Sequence, residues 1–190
     1  MRLTEPRLAP LADTDLNPEQ EAVLAGFRAG GRDYNIFRTF ARDPAALKAF
    51  LVWGGHVLSN DNPLGARHRE IAILRTGYLC KAGYEWARHV LIARHAGLSE
   101  AEISAIKAGA DDAAWDEADS ALLAATDALV TDHFIDDAGW QALCAHFNEV
   151  QRLALIFTVG QYTMVSMFLN SVGVQLDADV TLDADLVRPG

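Results

Sequence analysis

The chain has 190 residues, of which 51% are hydrophobic and 22% are charged, a composition typical of an ordered globular protein that can bury a core. Its formal net charge of −10 argues against a nucleic-acid partner, because phosphates require a basic surface. The N-terminal segment MRLTEPRLAPLADTD lacks the continuous apolar run of a secretory signal. Together with only two cysteines, this predicts a reduced, cytoplasmic protein.

Helix signals dominate the first half of the chain. Asn17–Pro18 and Asp43–Pro44 each place a capping side chain before a proline at the first helical position. A third such pair, Asn62–Pro63, precedes the segment LGARHREIAILRTGYLCKAG, and Gly83 separates that segment from YEWARHVLIARHAG. These patterns predict four successive helices.

The second half continues in the same way. Ser99 and Glu102 form the pattern of a capping box at the start of SEAEISAIKAG. Three further helices are predicted within AWDEADSALLAATDALVTDHF, IDDAGWQALCAHF and NEVQRLALIFTVGQYTMVSMFLNSVGV. The uncharged run Leu153–Leu176 is long enough to span a bilayer, but polar residues interrupt it and anchoring flanks are missing. We therefore expect a helix buried on most sides, in the core or against another subunit, and no membrane partner.

No stretch alternates with period two, so the predicted fold is all-α. We expect one domain over residues 1–190 with about eight helices, a core motif region at 44–109, and flexible arms at about 1–16 and 177–190. Basic residues concentrate between Arg28 and Arg94, whereas Ala108–Gln151 contains no Lys or Arg. This uneven charge is compatible with a small anionic ligand, although solvated helix faces are the simpler explanation.

The segment REIAILRTGYLCKAGYEWARHV raises the question of a thiol site. A dithiol centre needs two thiols that can pair, usually as Cys-x-x-Cys, but Cys80 is followed by Lys81, Ala82 and Gly83. The other cysteine, Cys144, belongs to a different predicted helix. A buried, inert Cys80 is the simpler interpretation.

The same segment also suggests an acid–base site. Glu85 and His89 are four residues apart on one predicted helix, so their side chains share a face. At an apolar border such a pair can shift each other's pKa toward neutrality, as proton transfer requires. The alternative is an ordinary exposed Glu–His pair. A zinc site using these two residues and His56 is also conceivable, but no HExxH or other ligand cluster supports it, and we predict no metal.

The stretch RHREIAILRTGYLCKAGYEWARHVLIARHAGLSEAEISAI resembles the carboxymuconolactone decarboxylase family, within the superfamily that also contains the alkylhydroperoxidase AhpD. The resemblance implies an AhpD-like helical fold whose paired helices assemble into trimers or hexamers. The peroxidase branch carries Glu, eleven residues, Cys-x-x-Cys, three residues and His. Glu70 and His89 match that pattern, whereas Ala82 and Glu85 occupy the cysteine positions. We therefore predict the acid–base variant and not the dithiol one.

The function that this resemblance implies is cofactor-independent chemistry on a small carboxylate or lactone, as a decarboxylase (carboxy-lyase) or a hydrolase. The predicted proton carriers are Glu70, Glu85 and His89. The predicted substrate-binding residues are Arg67 (or its neighbour Arg69) for a carboxylate, Tyr84 and Trp86 for a flat ring, and His56. Two alternatives stay open: an AhpD-like peroxidase of peroxiredoxin type that uses Cys80, and a non-catalytic oligomeric protein that binds a small molecule.

Overall fold

A computed structural model describes residues 1–187. Within that range the chain forms nine α-helices and no strand. The helices are α1 (Pro18–Ala29), α2 (Asn35–Phe40), α3 (Pro44–Val57), α4 (Gly65–Leu79), α5 (Gly83–His95), α6 (Glu100–Ala108), α7 (Glu117–Thr131), α8 (Asp137–His146) and α9 (Glu149–Val172). The all-α prediction is confirmed, with one helix more than the eight expected.

Most predicted helix starts are also confirmed. The side chains of Asn17, Asp43 and Ser99 each accept a hydrogen bond from a backbone N–H in the first turn of their helix. Asn62 behaves differently, because its side chain accepts from the backbone of the turn ahead and donates to a carbonyl of α3. It therefore shapes the α3–α4 turn, and α4 begins three residues later, at Gly65.

The helix that the sequence does not predict is α2. It has six residues, and its N-cap residue Tyr34 makes no side-chain capping bond, so neither length nor a cap signals it. Aromatic packing accompanies it instead: Phe37 stacks on Phe27 and Phe40 stacks on Phe168, each pair with ring centroids 4.0 Å apart. These contacts bring residues that are far apart in the sequence together and stabilise a helix too short to persist alone.

The centre of the fold is α4. Every residue from Arg69 to Gly77 is buried, and the helix packs against α5, α7 and α9. Burying one of its apolar side chains, such as Ile71 or Leu74, stabilises the fold by about 1.5–3 kcal/mol. The same burial requires partners for the charged residues of this helix, because an unpaired charge in the interior is very costly. That requirement creates the candidate site.

The terminal segments, predicted as flexible arms, lie against the helices where they are described. The backbone N–H of Arg7 donates to the carbonyl of Val172 at 2.8 Å, and Leu186 is buried. Lys107 binds the carboxylates of Asp183 and Asp185, each at 2.8 Å. The part of the predicted C-terminal arm at 188–190 lies outside the described residues.

The uncharged run forms α9, which ends at Gly173 in a left-handed conformation with φ of 77°. By length and composition, α9 is the one helix within residues 1–187 that could cross a membrane. Half of its apolar window is buried inside the structure, as in the core helix of a globular protein. The other side of α9 is exposed within the single chain, and its cover by another subunit stays a prediction.

Candidate functional site

Three of the predicted site residues meet between α4 and α5. The Nδ1 of His89 lies 2.7 Å from Glu70 Oε2, and its Nε2 lies 2.9 Å from Glu85 Oε1. The exposed fractions of Glu70, Glu85 and His89 are 0%, 4% and 6%. We call this arrangement the Glu–His–Glu bridge. The exposed Glu85–His89 pair considered as an alternative is therefore excluded.

Local structure explains how the bridge forms. Glu85 lies in the first turn of α5 and His89 one turn later, so both project from one face. The chain reverses between α4 and α5 through Lys81, which has a left-handed φ of 56°. On the facing side of α4, a Cβ added to Gly77 would lie 3.4 Å from Cγ of Glu85. The two helices therefore pack closely at Gly77, and His89 reaches Glu70 across this contact.

An arginine completes the charges of the bridge. Arg69, which is buried, donates from Nε to Glu70 Oε1 at 3.1 Å and from a terminal nitrogen to the carbonyl of Ser59 at 2.9 Å. Two carboxylates therefore face one guanidinium and one imidazole. With the imidazole protonated, the formal charges of these four side chains cancel, which is how a buried charged group is tolerated.

The environment of His89 fixes its protonation state. Burial alone lowers the pKa of His89, but the charges of Glu70 and Glu85, and the hydrogen bonds to both, outweigh it and raise the pKa to about 10. The imidazole is therefore protonated at neutral pH, and both ring nitrogens donate. The pKa of His89 is therefore higher than the sequence predicted. The prediction placed one carboxylate beside the imidazole, and the structure places two.

Tyr162 of α9 contacts the bridge, although the sequence does not indicate it as a site residue. Its ring meets that of His89 edge to face, with centroids 4.9 Å apart, and the residue is buried. Burial, followed by the negative charges of Glu85 and Glu70, raises the pKa of Tyr162 well above its usual value, so the residue stays a neutral phenol. The one available signal was a polar interruption in an otherwise apolar helix, which does not indicate a partner.

Arg67 lies apart from the bridge, and its substrate-binding role stays a prediction. It contacts Asp119 through both terminal nitrogens, at 2.7 and 2.8 Å, and Glu102 at 2.6 Å. Asp119 belongs to α7 and Glu102 belongs to α6. Their carboxylates bind the planar guanidinium group of Arg67, which was expected to bind substrate. The arginine at the bridge is its neighbour Arg69.

The other predicted substrate-binding residues also lie elsewhere. The hydroxyl of Tyr84 donates to Asp177 at 2.5 Å, in the C-terminal segment. Trp86 belongs to the apolar core and lines a cavity of about 380 Å³ that also borders the C-terminal segment and not the bridge. His56 is exposed on α3, beside the ring of Trp53. Among residues 1–187, no group of three or more His, Cys, Asp or Glu side chains is arranged to hold a metal ion.

The two cysteines are free and separate. Cys80 caps the end of α4 and is half-buried, whereas Cys144 is exposed on α8. Burial raises the pKa of the Cys80 thiol, despite a smaller opposing effect from Ser166 and Arg2. A raised pKa leaves less of the reactive thiolate at neutral pH.

Solved structures of known proteins share this fold. A protein of unknown function from Agrobacterium tumefaciens, proposed to be the antioxidant defence protein AhpD, is 23% identical over 73% of this chain and 94% of its own, with a TM-score of 0.68. The alkylhydroperoxidase AhpD core of a peroxidase-related protein from Ralstonia eutropha JMP134 is 17% identical over 90% and 94%, with a TM-score of 0.77. The debrominase Bmp8, a C82A variant bound to 2,3,4-tribromopyrrole, is 17% identical over 92% and 94%, with a TM-score of 0.76.

At these identities the structural likeness shows the fold alone. No curated protein matches the sequence. The family model for the carboxymuconolactone decarboxylase family matches residues 44–127, which include α4, α5 and the whole Glu–His–Glu bridge. The chain is therefore similar to the carboxymuconolactone decarboxylase family over residues 44–127, has an AhpD-like fold and lacks the Cys-x-x-Cys motif.

Proposed function

We propose that the protein is a cofactor-independent acid–base enzyme that acts on a small carboxylate or lactone, as a decarboxylase or a hydrolase. The observation that carries the proposal is the imidazole of His89, which is hydrogen-bonded through both ring nitrogens to two buried carboxylates. Loss of CO2 from an acid leaves a carbanion that needs a proton, and hydrolysis of a lactone needs a proton at the leaving oxygen. The bridge stores a proton beside two groups that can accept it.

The bridge is suited to a proton transfer from His89 to Glu85, with Glu85 in contact with the substrate. A proton can pass from His89 Nε2 to Glu85 Oε1 along the 2.9 Å hydrogen bond, leaving a neutral imidazole and a protonated Glu85. In a decarboxylation, the electrons of the broken C–C bond remain on the substrate carbon, and Glu85 supplies the proton to that carbon. Solvent then returns a proton to His89. Arg69 donates to the carboxylate of Glu70 on the other side of the imidazole.

Bracing of the helix pair is the competing explanation for the bridge. Replacing a buried ion-pair network by apolar residues of similar volume is often neutral or stabilising, so charged groups are a poor way to hold two helices together. Glu85 and His89 also retain slight exposure, at 4% and 6%, whereas Glu70 has none. A substrate would therefore approach from the side of Glu85 and His89.

The decisive experiment is a screen of small carboxylates and lactones for CO2 release or ring opening. For any substrate found, His89→Gln and Glu85→Gln should reduce turnover by about a hundred- to ten-thousand-fold, the usual effect of losing a general acid or base. His56→Gln is the matched control, because His56 is exposed on α3 and should leave turnover unchanged. Full activity in both bridge variants would disprove the assignment.

The thiol alternative has its own test. An AhpD-like peroxidase would consume alkyl hydroperoxides with a dithiol reductant, and Cys80→Ser would abolish that turnover. The raised pKa of the Cys80 thiol and its lack of a neighbouring thiol favour background activity instead. Peroxide turnover that depends on Cys80 would replace the acid–base proposal. Binding of small acids without any turnover would instead identify a binding protein.

A further inference from the structure

The outward face of α9 carries a regular row of exposed residues. Between Val150 and Ser171, the exposed positions follow one another at alternating intervals of three and four residues. They are Val150, Leu153, Phe157, Gly160, Met164, Met167 and Ser171. We call this row the α9 stripe. Its five large side chains are between 41% and 60% exposed.

The spacing of the α9 stripe is that of a helix-pairing seam. Apolar residues that alternate at three and four positions repeat every seven residues, the period with which one helix meets another side by side. Ordinary solvent-facing helices carry polar residues at such positions. Trp53 of α3 packs edge to face on Phe157 and is itself 41% exposed, so it widens the apolar surface on one side. The stripe has no cover within the described chain.

The centre of the stripe is suited to close approach by another helix. Gly160 lies 11 residues from both Glu149 and Ser171, or about 16 Å along the helix in each direction. A Cβ added to Gly160 would meet nothing within 4 Å, so the space above it is open. The distance between two packed helices depends on the side chains at their contact, and glycine permits the shortest distance.

Charge selects the orientation of the partner helix. The charged residues of α9 are Glu149 and Arg152 in its first turn, and Arg152 is directed toward the carbonyl of Phe147 and the ring of Trp140. Glu149 is exposed at the N-terminal end, and Arg7 donates to the carbonyl of Ser171 at the C-terminal end. A parallel pair of identical helices would place like charges together. An antiparallel pair would place each Glu149 beside the partner's arginine and would oppose the two helix dipoles favourably.

From this geometry we propose that the α9 stripe is the surface on which two copies of this chain pair, antiparallel, about a two-fold axis near Gly160. The stripe is self-complementary about that residue, as an isologous interface requires. A membrane is a poorer match, because a surface-bound helix needs basic residues along its polar edge and this helix has a single arginine. The expected assembly is a dimer, or a larger oligomer built from such dimers.

The first test substitutes the central residue. In Gly160→Arg, two arginines would meet at the two-fold axis, so we expect the association constant to fall by about a hundred-fold or more in sedimentation or light-scattering measurements at micromolar concentration. The single chain should fold as before, because the position is exposed in a helix and arginine favours helix over glycine. Gly26→Arg on α1 is the matched control, since Gly26 is also exposed with nothing near its Cβ direction, and it should leave assembly unchanged.

The second test examines orientation by charge reversal. Glu149→Arg and Arg7→Glu should each weaken association, and the double variant should restore it, because the two charges face each other only in the antiparallel pair. Failure of the double variant to recover would overturn the antiparallel arrangement. A monomeric natural chain at micromolar concentration, or an unchanged assembly in Gly160→Arg, would overturn the pairing itself. Binding of the natural chain to phosphatidylcholine vesicles that is lost in Gly160→Arg would assign the stripe to lipid instead.

Discussion

His89 donates through Nδ1 to Glu70 at 2.7 Å, which joins α5 to α4 through two residues 19 positions apart in the sequence. The contact depends on the close packing of the two helices as well as on the two side chains. It brings a second carboxylate to an imidazole that already has Glu85 on its own helix. The chemistry proposed for the protein and several measurable properties of His89 follow from this contact.

The first prediction concerns the titration of His89. Because two carboxylates raise its pKa to about 10, we expect the His89 ring to stay protonated across the range in which a free histidine titrates. Proton and carbon NMR of the imidazoles, with assignment by His89→Gln, measures this directly. A short histidine-containing peptide measured under the same conditions provides the reference titration. A ring assigned to His89 that titrates close to 6.5 would contradict the bridge.

The second prediction concerns how the stability of the fold depends on pH. The pKa of His89 rises from its ordinary 6.5 to about 10 on folding, so the folded state binds more protons between these values. The stabilising contribution is complete below pH 6.5 and is lost as the pH rises through 10. The free energy of unfolding in urea should therefore fall more steeply across this window in the natural protein than in His89→Gln. Parallel pH profiles for the two proteins would be inconsistent with this linkage.

The third prediction compares a buried ion pair with an exposed one. Glu70→Ala would leave buried Arg69 and His89 without their shared carboxylate, and we expect it to cost about 3–5 kcal/mol of the free energy of unfolding. Glu19→Ala removes the exposed Glu19–Lys48 pair and should cost less than about 1 kcal/mol. Chemical denaturation of both variants provides the measurement. Similar small losses in the two would show that Glu70 is not an integral part of a buried network.

The fourth prediction separates the two neighbouring arginines. Arg67 links α4 to Asp119 and Glu102, so Arg67→Ala should lower stability and leave the substrate KM unchanged. Arg69→Ala removes the cation beside Glu70 and should change the pH dependence of turnover as well as stability. Steady-state kinetics against pH, with the substrate identified in the screen, distinguishes them. An increased KM in Arg67→Ala alone would support the substrate-binding role that the sequence predicts for Arg67.

The sequence by itself determined most of the helices and one pair of site residues. Capping residues such as Asn17, Asp43 and Ser99 mark helix starts because they act on backbone groups within three residues of themselves. Glu85 and His89 were predictable as a pair for the same reason, since an interval of four residues on one helix fixes their common face. The resemblance to a family motif then added Glu70.

Tertiary structure alone decided which other groups complete the bridge. Arg69 and not Arg67 reaches Glu70, and Tyr162 arrives from α9, although no sequence interval relates it to His89. The exposed stripe on α9 also became visible only once the other side of that helix was buried. Contacts between helices depend on how their surfaces pack, which is settled by many residues together. Local sequence patterns act over a few residues and therefore leave such contacts open.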